Sequence, residues 1–268
     1  MEPVISALRP RVAAIVPVLN EADAIGGVVT GLKANGADLV IVVDGQSSDA
    51  TARNARSAGA TVLVEARRGY GRALMTGIEA LPDDIEVVLF FDGDGTDRTD
   101  LVPQVLAPII EGAADYAQGT RLRGEREPGS LGLAQVVAGH LAGLLILLFY
   151  RTRFTDMSPF RALRRDTLAG LGMQEATFGW NLEMQMRVAA LGLRVVEIPV
   201  GQRKRQGGVS KVSGDLRIAV RAAWIIGTTF WRLARTLPRA KRSEMEASTT
   251  GPRPRPRDYH SSLGTMVD

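Results

Sequence analysis

The sequence predicts an α/β fold: a mainly parallel sheet with helices on both faces. From residue 12 to 118, short apolar, β-branched runs alternate with longer stretches at helical spacing, the pattern of strands joined by crossover helices. Runs such as LVIVV and VVLFF are apolar on both faces, which suits strands covered on both sides. A polar or Gly-rich loop follows each of the first four runs, and ligands of such sheets bind at the carboxyl ends of the strands.

The predicted strands are VAAIVPV (12–18), DLVIVVD (38–44), ATVLVEA (60–66), IEVVLFFD (85–92) and ADYAQG (114–119). The loops after the first four read LNEAD, DGQSSDAT, ARRGYGRA and DGDGTD. Residues 131–150, LGLAQVVAGHLAGLLILLFY, lack any charged side chain and approach the length of a membrane span. A crossing there would put the early loops and the Asp/Arg/Glu cluster after 155 on opposite sides of a bilayer. The expectation is therefore a helix packed in the core or lying at a membrane interface. Residues 182–192 read as a helix closed by Gly192, followed by the strand LRVVEIPV. A last helix spans about 215–236, where Trp224, Phe230 and Trp231 stand beside Arg221, Arg232 and Arg235. That mixture suits an interfacial helix as well as one packed on the body.

Composition narrows the chemistry. The 268 residues hold no cysteine and two histidines, so thiolate chemistry is excluded and a zinc site is disfavoured. A divalent cation would have to be a hard one, Mg²⁺ or Mn²⁺, on oxygen ligands. The formal charge of +4 belongs to the tail: residues 232–268 carry eight Lys or Arg against four Asp or Glu, leaving 25 of each before them. A neutral body argues against a nucleic-acid groove, while the basic tail fits peripheral contact with an anionic membrane. MEPVISALRPR lacks the order of a signal peptide, so a cytoplasmic location is expected.

The loops carry the site. Asp92 and Asp94 stand one residue apart at a strand end, with Gly93 between them to allow a tight turn, and such a pair can hold one cation while leaving positions for phosphate oxygens. Asp97 reads as an N-terminal helix acid and Asp49 as a cap. Asp44 is placed to accept hydrogen bonds from a base or ribose. Arg67, Arg68, Gly69 and Gly71 precede a helix and make an anion cradle with its amides. A nicotinamide enzyme is disfavoured, because GxGxxG does not follow the first strand, and Walker A spacing is absent.

In order and spacing, PVLNEADAI, DGQSSDAT, GYGRA and DGDG resemble family 2 glycosyltransferases of the Rossmann-like GT-A fold. TDMSPFRALRRD, FGWNLEMQMRVAALGLRVVEIPV and RQGGVSK are similar to the dolichyl-phosphate mannose synthase branch, which transfers a sugar from a nucleotide to a polyprenyl phosphate. The resemblance covers about residues 12–213. It makes 12–213 the expected glycosyltransferase domain, leaving an N-terminal extension (1–11), the candidate interfacial helix (214–237) and, from its Ser/Thr- and Pro/Arg-rich composition, a basic disordered tail (238–268). It implies that Pro17, Asn20, Glu21 and Asp44 contact the nucleotide and that Asp92 and Asp94 hold its diphosphate through a metal. Arg121, Arg205, Ser210 and Lys211 would surround phosphates of donor or acceptor, and transfer would invert the anomeric centre. Asp156 and Glu183 would lie near the transferred sugar, as base candidates for a hydroxyl acceptor.

The chain departs from the family pattern at Gly45, where a second aspartate is common, and at Pro159, where glycine is usual. It also has no basic residue between Arg126 and Arg151, where the branch places one. A soluble acceptor, a nucleotidyltransferase and a non-catalytic nucleotide-sugar binding module are the alternatives to a lipid phosphate acceptor.

Overall fold

The computed structural model describes residues 9–205 and 216–238. Seven strands form one sheet: β1 (Val12–Val18), β2 (Leu39–Asp44), β3 (Thr61–Val64), β4 (Val87–Phe90), β5 (Tyr116–Thr120), β6 (Arg161–Arg164) and β7 (Val195–Pro199). Their order is β3-β2-β1-β4-β6-β5-β7. Only β6 runs against the others, pairing antiparallel with both β4 and β5. The helices are α1 (Ile25–Ala34), α2 (Thr51–Ser57), α3 (Tyr70–Glu79), α4 (Val102–Ile110), α5 (Leu133–Tyr150), α6 (Arg165–Leu171), α7 (Trp180–Ala190) and α8 (Leu216–Thr236).

Alternation along the strands splits the core in two. Ala13, Ile15, Ile41, Val43, Val88 and Phe90 face a layer built with α3, α5, α6, α7 and α8. Their neighbours Val12, Ala14, Val16, Val40, Val42 and Leu89 face α1 and α4. Both faces are covered, so the early strands are apolar throughout. From β1 the chain winds outward through β2 and β3, then returns to place β4 on the other side of β1. That reversal opens a crevice at the carboxyl ends of β1 and β4, where LNEAD and DGDGTD emerge. Pro17 lies beyond the last β1–β4 pair, Ile15 with Phe90, on a stretch of β1 that pairs only with β2.

The segment before β1 is fastened where it is described: Arg9 pairs with Asp38 and Arg11 with Asp84. The 131–150 helix packs with one face inward, burying Ala142, Ile146 and Tyr150 and leaving Val137, Leu141, Leu144, Leu147 and Leu148 exposed. Among the described residues no helix is long and apolar enough to cross a membrane. α8 is pinned to the body by buried Phe230, Leu233 and Ala234 and by Arg232 donating to Glu175, while Trp224 and Trp231 are exposed. Phe149 of α5 meets Phe230 and Trp231 of α8, with ring centroids 5.3 Å and 5.9 Å apart.

Close approach of α5 to the body depends on Gly143, where an added Cβ would overlap the Phe154 carbonyl oxygen. Gly143→Ala is expected to lower stability by about 1–3 kcal/mol, as overpacking against backbone does; urea unfolding checks it.

Candidate active site

The first two loops are knitted together before any ligand is considered. Asp44 is buried, and its carboxylate accepts from the Ser47 amide and hydroxyl. Ser47 Oγ accepts from the Asn20 amide at 2.8 Å, and Asn20 Oδ1 accepts from the Ser48 amide at 2.8 Å. Asn20 takes a left-handed φ of 56°, a conformation asparagine tolerates. The Glu21 amide donates to Thr51 Oγ1, and Asp49 accepts from the Thr51 amide and hydroxyl, the predicted cap.

At the β4 end, Asp92 and Asp94 are half-buried. The Tyr70 hydroxyl donates to Asp92 Oδ1 at 3.1 Å, and the Thr96 amide and hydroxyl donate to Asp94 Oδ1 at 3.0 and 2.8 Å. Burial, and then the neighbouring Asp94 carboxylate, push Asp92 up to about 7, against the opposing pull of Tyr70, Arg121 and Arg161. Gly93 is needed for space: a Cβ there would strike Val18 of β1, and the left-handed turn is made by Gly95 (φ 75°). Arg205 bridges the two loops, pairing with Glu21 and with Asp94 Oδ2 (3.2 Å). A hard divalent cation fits this donor set. Among the described residues no three Asp, Glu or His side chains converge, so the chain offers two carboxylates and leaves the other positions to diphosphate and water.

Asp97 corrects its reading as a helix acid. It is 4% exposed, neither carboxylate oxygen has a hydrogen-bond partner among the described residues, and the 3₁₀ turn at Thr99–Leu101 has no side-chain cap. The short acid run in the sequence marked the turn, but only the fold shows that its third member points inward.

β6 brings the second half to the same edge. Asp156 is buried, and its carboxylate accepts from the Arg121 amide (2.9 Å), Nε (2.8 Å) and Nη2 (2.8 Å) and from the Met157 amide (2.7 Å). Burial alone would raise its pKa, but these bonds outweigh it and hold Asp156 below the usual carboxylate range. Its backbone carbonyl accepts from Gln118 and Gln185, both at 2.7 Å. Arg161, fully buried, donates to the carbonyls of Ser158 and Pro159 and so fastens the loop entering β6. Sequence reasoning gave no role to Tyr70, Gln118 or Gln185, although they lie inside the quoted stretches GYG, ADYAQG and FGWNLEMQMRVAALG.

Glu183 is fully buried and sits elsewhere. Its carboxylate accepts from the amides of Gln174 (3.0 Å) and Glu175 (2.6 Å) and from Arg187 Nε (2.9 Å), so it braces the loop before α7. That loop lies against α3: the Arg72 amide donates to the Ala176 carbonyl, and a Cβ on Gly69 or Gly71 would overlap the Ala176 or Glu175 oxygen. Arg68 is exposed at the start of α3. Ser210 and Lys211 lie outside the described residues.

A family model, Glycosyl transferase family 2, matches residues 13–172. The chain belongs to that family. An uncharacterized glycosyltransferase of Mycobacterium tuberculosis (strain ATCC 25618 / H37Rv) is 34% identical over 226 residues, spanning 83% of this chain and 97% of the relative. A dolichyl-phosphate hexose transferase of Haloferax volcanii is 32% identical over 198 residues, 73% of this chain and 84% of its own length. Among solved structures, glucosyl-3-phosphoglycerate synthase from M. tuberculosis, in complex with Mn²⁺, UDP-glucose and phosphoglyceric acid, superposes with a TM-score of 0.67 at 19% identity, covering 89% of this chain and 86% of that one. This family 2 glycosyltransferase thus has the GT-A fold predicted from its sequence.

Asp156→Asn would leave the Arg121 guanidinium buried without its anion, a loss of about 3–5 kcal/mol. Because the folded state depresses the Asp156 pKa, its stabilisation is complete above the unfolded value near 4 and vanishes as pH falls through the folded one. Urea unfolding should therefore separate wild type from Asp156→Asn widely at pH 7 and by less at pH 3.

Proposed function

We propose that this glycosyltransferase moves a hexose from a GDP- or UDP-sugar to a polyprenyl phosphate, with Mg²⁺ or Mn²⁺ on Asp92 and Asp94. The observation that carries the acceptor class is the two-sided character of α5. On its inner side, a Cβ added to buried Gly139 would lie 3.8 Å from the Asp156 carboxylate. Its outer side exposes Val137, Leu141, Leu144, Leu147 and Leu148, a continuous apolar stripe at helical spacing. Trp231 of α8 adjoins it through Phe149, and a cleft of about 710 Å³ runs along α8 between Trp224, Trp231, Arg232 and Arg235. Exposed Arg151, Arg153, Arg232 and Arg235 supply the charge that an anionic membrane attracts. A lipid chain and its headgroup phosphate would find an apolar face and a guanidinium on opposite sides of one helix, at the inner face of the cytoplasmic membrane.

In this reading Pro17, Asn20, Glu21 and Asp44 receive the nucleoside, and exposed Arg68 attracts phosphate. Arg121 offers a fixed guanidinium to phosphate, because Asp156 locks its orientation. Asp156, charged and fully hydrogen-bonded, serves better as that lock than as a proton acceptor. A phosphate oxygen is already ionised near neutral pH and attacks without a base, consistent with single displacement and inversion. Glu183 acts through the 174–176 loop it braces. Arg205, with Ser210 and Lys211, would turn to the phosphates once donor enters. The cation, when bound, supplies charge neutralisation for the leaving diphosphate.

One observation favours a second reading, a soluble phosphorylated acceptor: α5 carries no cation to meet a lipid phosphate. A panel of UDP- and GDP-sugars with Mn²⁺ or Mg²⁺, run with short polyprenyl phosphate or with phosphoglycerate and scored for released nucleotide, decides between them. Asp94→Ala is expected to abolish turnover with the fold intact by circular dichroism; normal turnover would remove the metal assignment. Leu144→Glu/Leu148→Glu should lose flotation with anionic liposomes and turnover on lipid acceptor while donor affinity by calorimetry stays unchanged. Equal flotation of variant and wild type would remove α5 from the membrane surface.

A further inference from the structure

Asp97 is the one acid of the DGDGTD turn that nothing described so far employs. A buried carboxylate without a partner is strongly unfavourable, and a fold retains one where a ligand completes it. The turn gives Asp97 no escape to solvent. Thr96 beside it receives the Gln202 side chain on its hydroxyl at 3.3 Å, and its carbonyl accepts from the Arg203 amide at 2.9 Å, so the 201–203 segment closes over the outer side.

The neighbouring cations are already engaged. Arg121 spends its amide, Nε and Nη2 on Asp156, and Arg161 donates to backbone carbonyls. The Tyr70 hydroxyl donates to Asp92. Asp97 nonetheless shares the turn with Asp94, three residues on, and lies within the electrostatic reach of Asp92, Asp94, Asp156 and Arg121. Since no third acid converges with Asp92 and Asp94 as a direct ligand, the missing donor has to come from what the pair binds. Water on a divalent cation is such a donor, made stronger by the metal's charge.

We propose that Asp97 is an outer-shell positioning residue of the cation site, accepting hydrogen bonds from water bound to the metal that Asp92 and Asp94 hold. The inference rests on the metal reading above. Outer-shell partners of this kind typically govern about 10- to 100-fold in metal affinity.

The test titrates the full-length protein with Mn²⁺ alone and follows the free-ion signal by electron paramagnetic resonance. Asp97→Asn should weaken Mn²⁺ binding about 10-fold or more. Asp100→Asn, which removes an exposed charge paired with Arg98 from the same segment, controls for net charge and should change affinity less than about twofold. In EDTA, Asp97→Asn should melt at or above the wild-type temperature, since an amide replaces a buried carboxyl that has no partner among the described residues, and saturating Mn²⁺ should raise the wild-type Tm by more than the variant's. Unchanged Mn²⁺ affinity in Asp97→Asn, equal losses in the two variants, or a lower Tm in EDTA overturns the proposal, the last by revealing a purely structural role. Asp94→Asn separates the two levels: if it too binds like wild type, the metal reading fails and takes this inference with it. If Asp94→Asn loses binding while Asp97→Asn keeps it, only the role of Asp97 fails.

Discussion

The site depends on one buried ion pair, Arg121 with Asp156. A guanidinium at the end of β5 has few ways to be satisfied inside a protein, and a carboxylate meeting it through parallel N–H bonds is the best of them. The two residues are 35 positions apart in the chain and meet because β6 runs backwards. Entering the sheet antiparallel, β6 starts at the edge where β4 and β5 finish, with Arg161 opposite both Phe90 and Gln118. A register slip of one residue would turn Arg161 out of its carbonyl cage and draw Asp156 off Arg121. Gln118 and Gln185 oppose such a slip by fixing the Asp156 carbonyl from two elements.

The parallel half of the sheet was legible because it obeys a local rule: strands covered on both faces need apolar side chains on both faces, and the runs at 12–18 and 38–44 show it. β6 was hidden because RALR places two arginines among four residues, and charge reads as surface. Arg161 belongs inside only through oxygens contributed by its own loop, a tertiary fact that no periodicity carries. α5 was read as either packed or interfacial, and the fold buries one of its faces and exposes the other, which is apolar.

Among the site residues, Asp92 and Asp94 were legible from their place after a strand, and Asp44 was recognised although its present partner, Ser47, was not named. Spacing alone misleads where a side chain's direction decides. Glu183 lies in a helix that would ordinarily show an acid to water, yet it is fully buried and gathers the amides of the preceding loop. Asp97 follows the same logic, since the turn it sits in gives its hydrogen bonds to Asp94 through Thr96. Gly69 and Gly71 looked like room for a phosphate, and the room they make is filled by the backbone of 175–176.

Arg205, lying between Glu21 and Asp94, is a counter-ion that the chain carries for itself. Its presence makes occupation of the crevice an exchange rather than an addition: a cation settling on Asp94 would displace the guanidinium that pairs with it. A cation arriving with a diphosphate brings acidic oxygens to which that guanidinium can turn, so the eviction is offset by a new pairing. The crevice would then take metal and diphosphate together more readily than either by itself.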